Sequence, residues 1–447
     1  MSSGLVDALR LFIHRRFYSE KQIKNYQEQE LRNLVSTSIR NSPFYRERFN
    51  GIEIQSLTDL EKVVPINKAI MMEQFDRLNT VGLLREEVQN YAVQKELDRD
   101  YLGYYKDKYV IGLSSGTSGN KGLYVTPREL TEKLPFVFLA RGGIPLRYLP
   151  FRILFCLRVF GQGFEDINSP IVKLAYCSTM TPIEEIVELI NTRNINILMA
   201  PPSLVRLLLP VRNQIKIQLK QIVCYAEVLE KEEKERFTKV FNTGVVEIYQ
   251  ASEGQIASAC SHGNLHINED MVIVELRDEQ GNIVDQPGVV AKHMYVTNLV
   301  NLAQPLIRYE MNDLLALGKP CACGSHFRTI DAILGRNDDI LHFKTKEGKI
   351  QTVFPDLFSR WIITSSDAIR EYQVIQKDSR SVMIHIELLP DHASEGDEVK
   401  EHLIIRIRQE LSLWNIDADI QIHIMKIELP ADRSKYKRFI VSLIQED

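Results

Sequence analysis

Apolar residues along this chain change their spacing three times. Over the first hundred residues the spacing is helical. Ile23, Tyr26, Leu31, Leu34 and Val35 fall among charges between Lys21 and Arg40, which predicts an amphipathic helix. Pro65 and the stretch after Lys68, with Met71, Met72 and Phe75 along one side, predict a second helical region. Leu5 to Phe17 is a shorter amphipathic stretch ending in Arg15-Arg16. It reads as a packed helix in preference to a membrane-surface segment.

The middle of the chain alternates strand and helix. Phe151 to Leu157, Ile195 to Ala200 and Gln221 to Tyr225 are continuous apolar runs of strand length. Between them, Thr181 to Thr192 opens on Thr181, Pro182 and acidic residues, a helix start. Pro201-Pro202 ends the second strand, and Ser203 is placed to cap a helix over Leu204 to Leu209. A charged helix from Lys231 to Phe241 follows the third. Such alternation predicts a largely parallel sheet with helices on its faces. From about Asn264 short strands alternate with turns such as Asp278-Glu279-Gln280-Gly281-Asn282, which predicts an antiparallel, barrel-like subdomain. The last hundred residues mix strands (Ile369 to Gln376, Ser381 to Leu388, Ala418 to Ile424) with a helix from Gly396 to Leu411. The fold class expected is therefore α/β. A large N-terminal domain over 1–335 carries layered, mostly parallel sheets and the antiparallel subdomain. A small α+β C-terminal domain over 336–447 follows the linking segment Gly335 to Asp339.

Bulk properties narrow the function classes. At 447 residues two or more domains are expected. A net charge of −4 gives no global field to gather nucleic acid or anionic lipid. No apolar run reaches membrane-spanning length, and the first residues lack a signal-peptide layout. Six scattered cysteines do not make a disulfide scaffold, so a reducing cytoplasm is the expected compartment.

The chemistry concentrates in Ser114-Ser115-Gly116-Thr117-Ser118-Gly119-Asn120-Lys121-Gly122, after the strand-like Tyr109 to Leu113. Glycines admit a ligand close to the backbone, and clustered amides and hydroxyls surround phosphate oxygens. Lys121 adds a point charge. The spacing is neither G-x-x-x-x-G-K-[ST] nor G-x-G-x-x-G. Four later segments bear on the same chemistry: Tyr249-Gln250-Ala251-Ser252-Glu253-Gly254, Ile307 to Asp313, Gly335 to Asp339, and Ser434-Lys435-Tyr436-Lys437-Arg438. An aromatic, a hydroxyl and a carboxylate at a strand's C-terminal end suit a base, a phosphate oxygen and Mg²⁺. No G-x-S-x-G supports hydrolase chemistry.

In that order these segments resemble the adenylate-forming superfamily of acyl-CoA synthetases, luciferases and adenylation domains, and within it the phenylacetate–coenzyme A ligase-like branch. Asn41-Ser42-Pro43-Phe44-Tyr45 and Pro305-Leu306-Ile307-Arg308-Tyr309 favour that branch. The resemblance implies an ATP-dependent ligase that activates a carboxylic acid, aromatic by analogy, as an acyl-AMP and passes it to a thiol such as coenzyme A. By position, Ser114, Ser115, Gly116, Thr117, Ser118, Gly119 and Lys121 would form the triphosphate loop. Ala226-Glu227 would lie beside the adenine, Tyr249 would stack on it, Ser252 would touch the α-phosphate and Glu253 would hold Mg²⁺. Asp313 and Arg336 would bind the ribose, Asp338 would be the hinge of a mobile C-terminal domain, and Lys435 would bridge the acid and the α-phosphate. A homodimer is a further family expectation.

The chain also departs from the family pattern. The loop is one residue short and lacks its proline, and Val228 stands where a proline is usual. Glu310-Met311-Asn312 replace Arg-Thr-Gly, Ser434 replaces a glycine, and Lys437 is a second candidate for the lysine role. Two other readings stay open: an adenylyltransferase that leaves AMP on a hydroxyl, and a nucleotide-binding protein without turnover. Separately, Cys260-Ser261-His262 with Cys321-Ala322-Cys323 could supply four ligands to a structural Zn²⁺, with His266 as a substitute for His262.

Overall fold

The computed structural model describes residues 2–98, 104–113, 122–157, 167–168, 170–179, 181–427 and 437–442. The chain divides into two compact units. One comprises Met1–Leu229, Phe237–Met311 and Ala316–Ala332; the other comprises Glu230–Arg236, Asn312–Leu315 and Ile333–Asp447.

The first unit begins with helices. Helix Ser2–Phe17 is followed by Glu20–Asn41, whose start is fixed by a capping box: Ser19 Oγ accepts the Gln22 amide while Gln22 Oε1 accepts that of Ser19. Ile23, Gln27, Leu31, Leu34, Val35 and Ser38 form its buried stripe. It stops at Ser42 because Pro43 cannot extend it, and Ser42 then caps the short helix Pro43–Arg48.

The largest sheet has ten strands in the order Asp313–Leu317, Thr329–Arg336, Leu265–Ile267, Gly254–Ala259, Gly244–Ala251, Gln221–Tyr225, Ile197–Ala200, Phe151–Leu157, Val172–Ser178, Ile167–Asn168. From Gly244–Ala251 to Val172–Ser178 neighbours run parallel. Along these strands side chains alternate between two cores. Leu154, Cys156, Leu198, Ala200, Ile222 and Cys224 pack with Ile186, Val187, Ile190, Leu204, Phe237 and Phe241. Ile153, Phe155, Ile197, Met199, Val223 and Tyr225 pack with Phe138. Burial on both faces is why the sequence shows unbroken apolar runs there. Beyond them, Gly254–Ala259 and Leu265–Ile267 turn antiparallel and extend the same sheet. Val272–Arg277, His293–Asn298 and Tyr309–Met311 make a separate antiparallel sheet. One helix start differs from expectation. Pro201 is the N-cap of helix Pro202–Leu208, so Ser203 lies inside its first turn.

Segment Pro305 to Glu310 is held residue by residue. Tyr45, fully buried, donates to Pro305 O at 2.8 Å and accepts from the Ile307 amide at 3.3 Å. Arg308 adopts φ +55°, donates to both Glu275 oxygens at 3.0 and 3.1 Å, and reaches Val63 O at 2.6 Å. Ile66 pairs with this segment through Arg308 O and the Glu310 amide. The two motifs that set the branch resemblance, around Tyr45 and Arg308, thus touch.

In the second unit, strands Asp419–Ile424, Ser381–Leu388, Ile369–Asp378 and Phe439–Val441 form one sheet in that order. Its central pair is antiparallel and its outer pairs parallel. Phe358, Trp361 and Ile362 of helix Pro355–Ile363, with Leu403 and Ile407 of Gly396–Ser412, join Val374, Val382, Ile384 and Ile422 in its core. Among the described residues no helix is long and apolar enough to cross a membrane.

Tyr45→Phe leaves the Ile307 amide and Pro305 carbonyl buried without their partner. The expected loss is about 1–3 kcal/mol of unfolding free energy in urea titrations. A change below about 0.5 kcal/mol, the size of a neutral surface substitution, would contradict that role.

Candidate functional site

Three groups of side chains gather the polar residues singled out in the sequence, two in the first unit and one in the second. The first lies where parallel strands end. Strand Gln221–Tyr225 is followed by Ala226 at φ +67°, a left-handed conformation rare for a residue with a Cβ. Glu227 comes next. Its carboxylate accepts from the Ser203 amide at 2.9 Å and the Ser203 hydroxyl at 2.7 Å. Glu227 is therefore engaged at the start of helix Pro202–Leu208, where amides lack intrahelical acceptors and a negative charge is favoured.

Strand Gly244–Ala251 turns directly into Gly254–Ala259, with Ala251 paired to Gly254, so Ser252 and Glu253 form a two-residue tip. The tip is fastened from two sides. Asn298 Nδ2 donates to Glu253 O at 2.7 Å, and a Cβ on Gly254 would come within 3.1 Å of that nitrogen. Tyr124 donates its hydroxyl to Glu253 Oε1 at 2.6 Å and meets the Tyr309 hydroxyl at 3.1 Å. Burial and the Glu253 charge push both phenols well above their usual range, so each remains a hydroxyl donor at neutral pH. Tyr249 is half-buried, its hydroxyl 4.0 Å from Met294 Sδ. Neither Tyr124 nor Tyr309 was singled out from sequence for contact with Glu253. A polar-tipped aromatic inside the strand that leaves the Gly-rich loop was the available signal.

In the second unit Arg336 Nε approaches Asp313 Oδ1 at 3.6 Å, and Asn312 Nδ2 bonds Asp338 Oδ2 at 3.2 Å. The residues expected at the ribose and hinge thus sit together. Lys437 pairs with Asp339 at 3.2 Å, and burial, the largest influence, raises the Asp339 carboxyl. The expected triphosphate residues Ser114, Ser115, Gly116, Thr117, Ser118, Gly119 and Lys121, and Lys435, lie outside the described residues.

The other group in the first unit is a cluster of Cys260, His266, Cys321 and Cys323, whose donor atoms all lie within 4.8 Å of one another. The imidazole is His266; His262 is not part of the group. Register explains the difference. His266 lies opposite Ser258 on the ladder that carries Cys260, whereas His262 is exposed in the intervening turn and its amide donates to Cys260 Sγ. Cys260 and Cys321 sulfurs are 3.7 Å apart, and Cys323 Sγ is 3.4 Å from His266 Nε2. Tetrahedral Zn²⁺ with bonds of about 2.0–2.3 Å sets its ligands at about that spacing. His266 Nδ1 lies 2.8 Å from Phe327 O, which orients Nε2 as the ligating atom. Among the described residues, no other group of three or more cysteine, histidine or acidic side chains is drawn together to suit a metal ion.

No family model matches the chain, and neither does any curated protein sequence. Solved structures do. One is 2-hydroxyisobutyryl-CoA ligase in the postadenylation state with a 2-hydroxyisobutyryl adenylate: TM-score 0.72, 14% identity, covering 97% of this chain and 91% of that one. The benzoate CoA ligase of Burkholderia xenovorans LB400 matches at TM-score 0.50 and 16% identity, over 74% of this chain and 68% of its own. The anthranilate CoA ligase AuaEII, solved with anthranoyl-AMP, matches at 0.51 and 15%, over 73% and 65%. Nearly from end to end, then, this chain has the fold of the acyl-CoA ligases of the adenylate-forming superfamily.

Proposed function

We propose that this protein is an ATP-dependent, adenylate-forming acid–thiol ligase. The reading is carried by one observation: a fold match over 97% of the chain to a ligase solved with an acyl-adenylate. Within that fold a carboxylate, Glu253, is held at a strand end by buried hydroxyls. An aromatic acid is the preferred substrate class, supported by the branch resemblance and by the benzoate and anthranilate ligases among the matches. Coenzyme A is the preferred acceptor.

The chemistry follows from charge. An acid carboxylate must attack the α-phosphorus of ATP, which brings two anions together. Glu253 would hold Mg²⁺, which, when bound, offsets phosphate charge. Tyr124 occupies one Glu253 oxygen and keeps the carboxylate aimed. The Ser114 to Lys121 loop and Ser252 would grip the phosphates, Tyr249 and Ala226 would flank the base, and Asp313 with Arg336 would take the ribose. Lys435 would stabilise the crowded transition state, leaving pyrophosphate and an acyl-adenylate. Rotation about Asp338 would then withdraw Lys435 and admit the thiol. Glu227 supports the site by fixing helix Pro202–Leu208. Zn²⁺ held by Cys260, His266, Cys321 and Cys323 would be structural, since four protein ligands leave no open position.

Carboxylate-dependent exchange of labelled pyrophosphate into ATP, run across an acid panel with aromatic members, tests the reading. Lys435→Ala is expected to lower exchange by at least about a hundredfold while ATP still binds, in keeping with loss of a charge that acts on the transition state. Normal exchange in that variant would remove the lysine's role. Release of AMP on adding coenzyme A separates a ligase from an adenylyltransferase that retains it. Tyr124→Phe is expected to raise the Mg²⁺ concentration for half-maximal exchange by about tenfold, as loss of a partner of a metal-binding group does; an unchanged Mg²⁺ dependence would refute the link. For the cluster, His266→Ala should weaken cobalt(II) binding to the reduced chain by at least about tenfold, whereas His262→Ala should leave it intact. The reverse result would reassign the ligand.

A further inference from the structure

Helix Ser2–Phe17 meets the Cys260, His266, Cys321, Cys323 cluster through two consecutive arginines. Arg16 Nη1 donates to the carbonyl of Cys323 itself at 2.7 Å. Gly324, at φ +79°, leaves the space this contact uses: a Cβ there would come within 2.9 Å of the same nitrogen. Arg15, 9% exposed, donates to Ser258 O at 2.9 Å and Ser258 Oγ at 3.2 Å. Ser258 is the ladder partner of His266 and stands two residues before Cys260. The two side chains therefore touch two of the three segments that build the cluster: the one leading into Cys260, through Ser258, and the one carrying Cys321 and Cys323.

Buried charged groups gather beside the cluster. Arg15 and Arg141 are buried cations, and Asp270 is the buried carboxylate that faces Arg141. His14 Nδ1 shares that carboxylate at 3.1 Å. Arg141 Nε and Nη1 have no hydrogen-bond partner among the described residues, and its guanidinium lies 5.3 Å from the centre of the Phe327 ring. Phe327 is the residue whose carbonyl orients His266. A divalent ion bound by three thiolates and a neutral imidazole carries one net negative charge. That charge would face the Arg15 cation, whose electrostatic surroundings include Cys260 and Cys323. A buried charge without a counter-charge is costly.

We propose that Arg15 and Arg16 make helix Ser2–Phe17 part of the metal site, so that the helix is latched when a divalent metal fills the cluster and released when the metal leaves. The proposal rests on the metal-binding reading of the cluster and adds a conformational consequence to it. Metal binding fixes the turn at Cys321 to Gly324 and with it the carbonyl that Arg16 grips. It also supplies the negative charge that Arg15 faces. In return, the helix closes one side of the site against solvent and slows loss of the ion.

The test uses the full chain, reduced, with zinc loaded or removed by a chelator, its metal content measured in parallel. Hydrogen exchange is read for peptides covering 2–17 and for the parallel strands. Exchange in 2–17 is expected to rise by about tenfold or more on metal removal, the size expected when a locally unfolding element loses its anchor, while strands 151–157 and 221–225 keep their protection. Arg16→Met, at an exposed position, should speed zinc transfer to a chromogenic chelator by about tenfold, as loss of an outer-shell partner does, and Arg16→Lys should restore most of the retention. A purified, reduced chain that retains neither zinc nor cobalt would sink the metal reading itself. Stoichiometric metal with exchange in 2–17 indifferent to its removal, or a rise spread evenly over the parallel strands, would sink the latch alone. An unchanged transfer rate in Arg16→Met would count equally against it.

Discussion

The first unit depends on the way segment Pro305 to Glu310 is held. Its backbone cannot drift, because Tyr45 takes Pro305 and Ile307 while Ile66 takes Arg308 and Glu310. Arg308 is a buried cation and would be intolerable there without Glu275. Once this segment is fixed, so is the Tyr309 hydroxyl, and through Tyr124 so is one oxygen of Glu253. A helix near the start of the chain and a hairpin tip two hundred residues later are in this way tied to one short strand. The consequence is that one oxygen of Glu253 has a fixed position before anything binds at the tip.

The strand–helix alternation was legible in the sequence because each parallel strand is buried on both faces. Phe151–Leu157 and Gln221–Tyr225 fall where the apolar runs place them. Local chemistry was less legible wherever two rules competed. Ser203 has the chemistry of an N-cap, but Pro201 and Pro202 already fix the dihedrals that start a helix, so the serine moved inward and met Glu227. His262 is closer in sequence to Cys260 than His266 is, yet nearness along a chain does not decide which face of a ladder a side chain joins. The antiparallel pairing of 254–259 with 265–267 puts His266 opposite Ser258 and leaves His262 in the turn.

The site residues divide on the same ground. Motif order along the chain points to the segment around position 253, and the acid there lies on a tight tip. The partners of that acid, Tyr124 and Tyr309, come from strands far apart in sequence, and no local pattern announces a hydroxyl-to-hydroxyl contact across them. Asp313 and Arg336 likewise become neighbours only through the course of the chain in the second unit.

Glu227 has a consequence for reading relatives of this protein. Its carboxylate is occupied with the Ser203 amide and hydroxyl, so selection for stability alone is enough to retain an acid there. Glu227 would persist for as long as helix Pro202–Leu208 did. An acid at position 227 therefore reports on the start of a helix, whereas the pair formed by positions 124 and 253 reports on the hairpin tip.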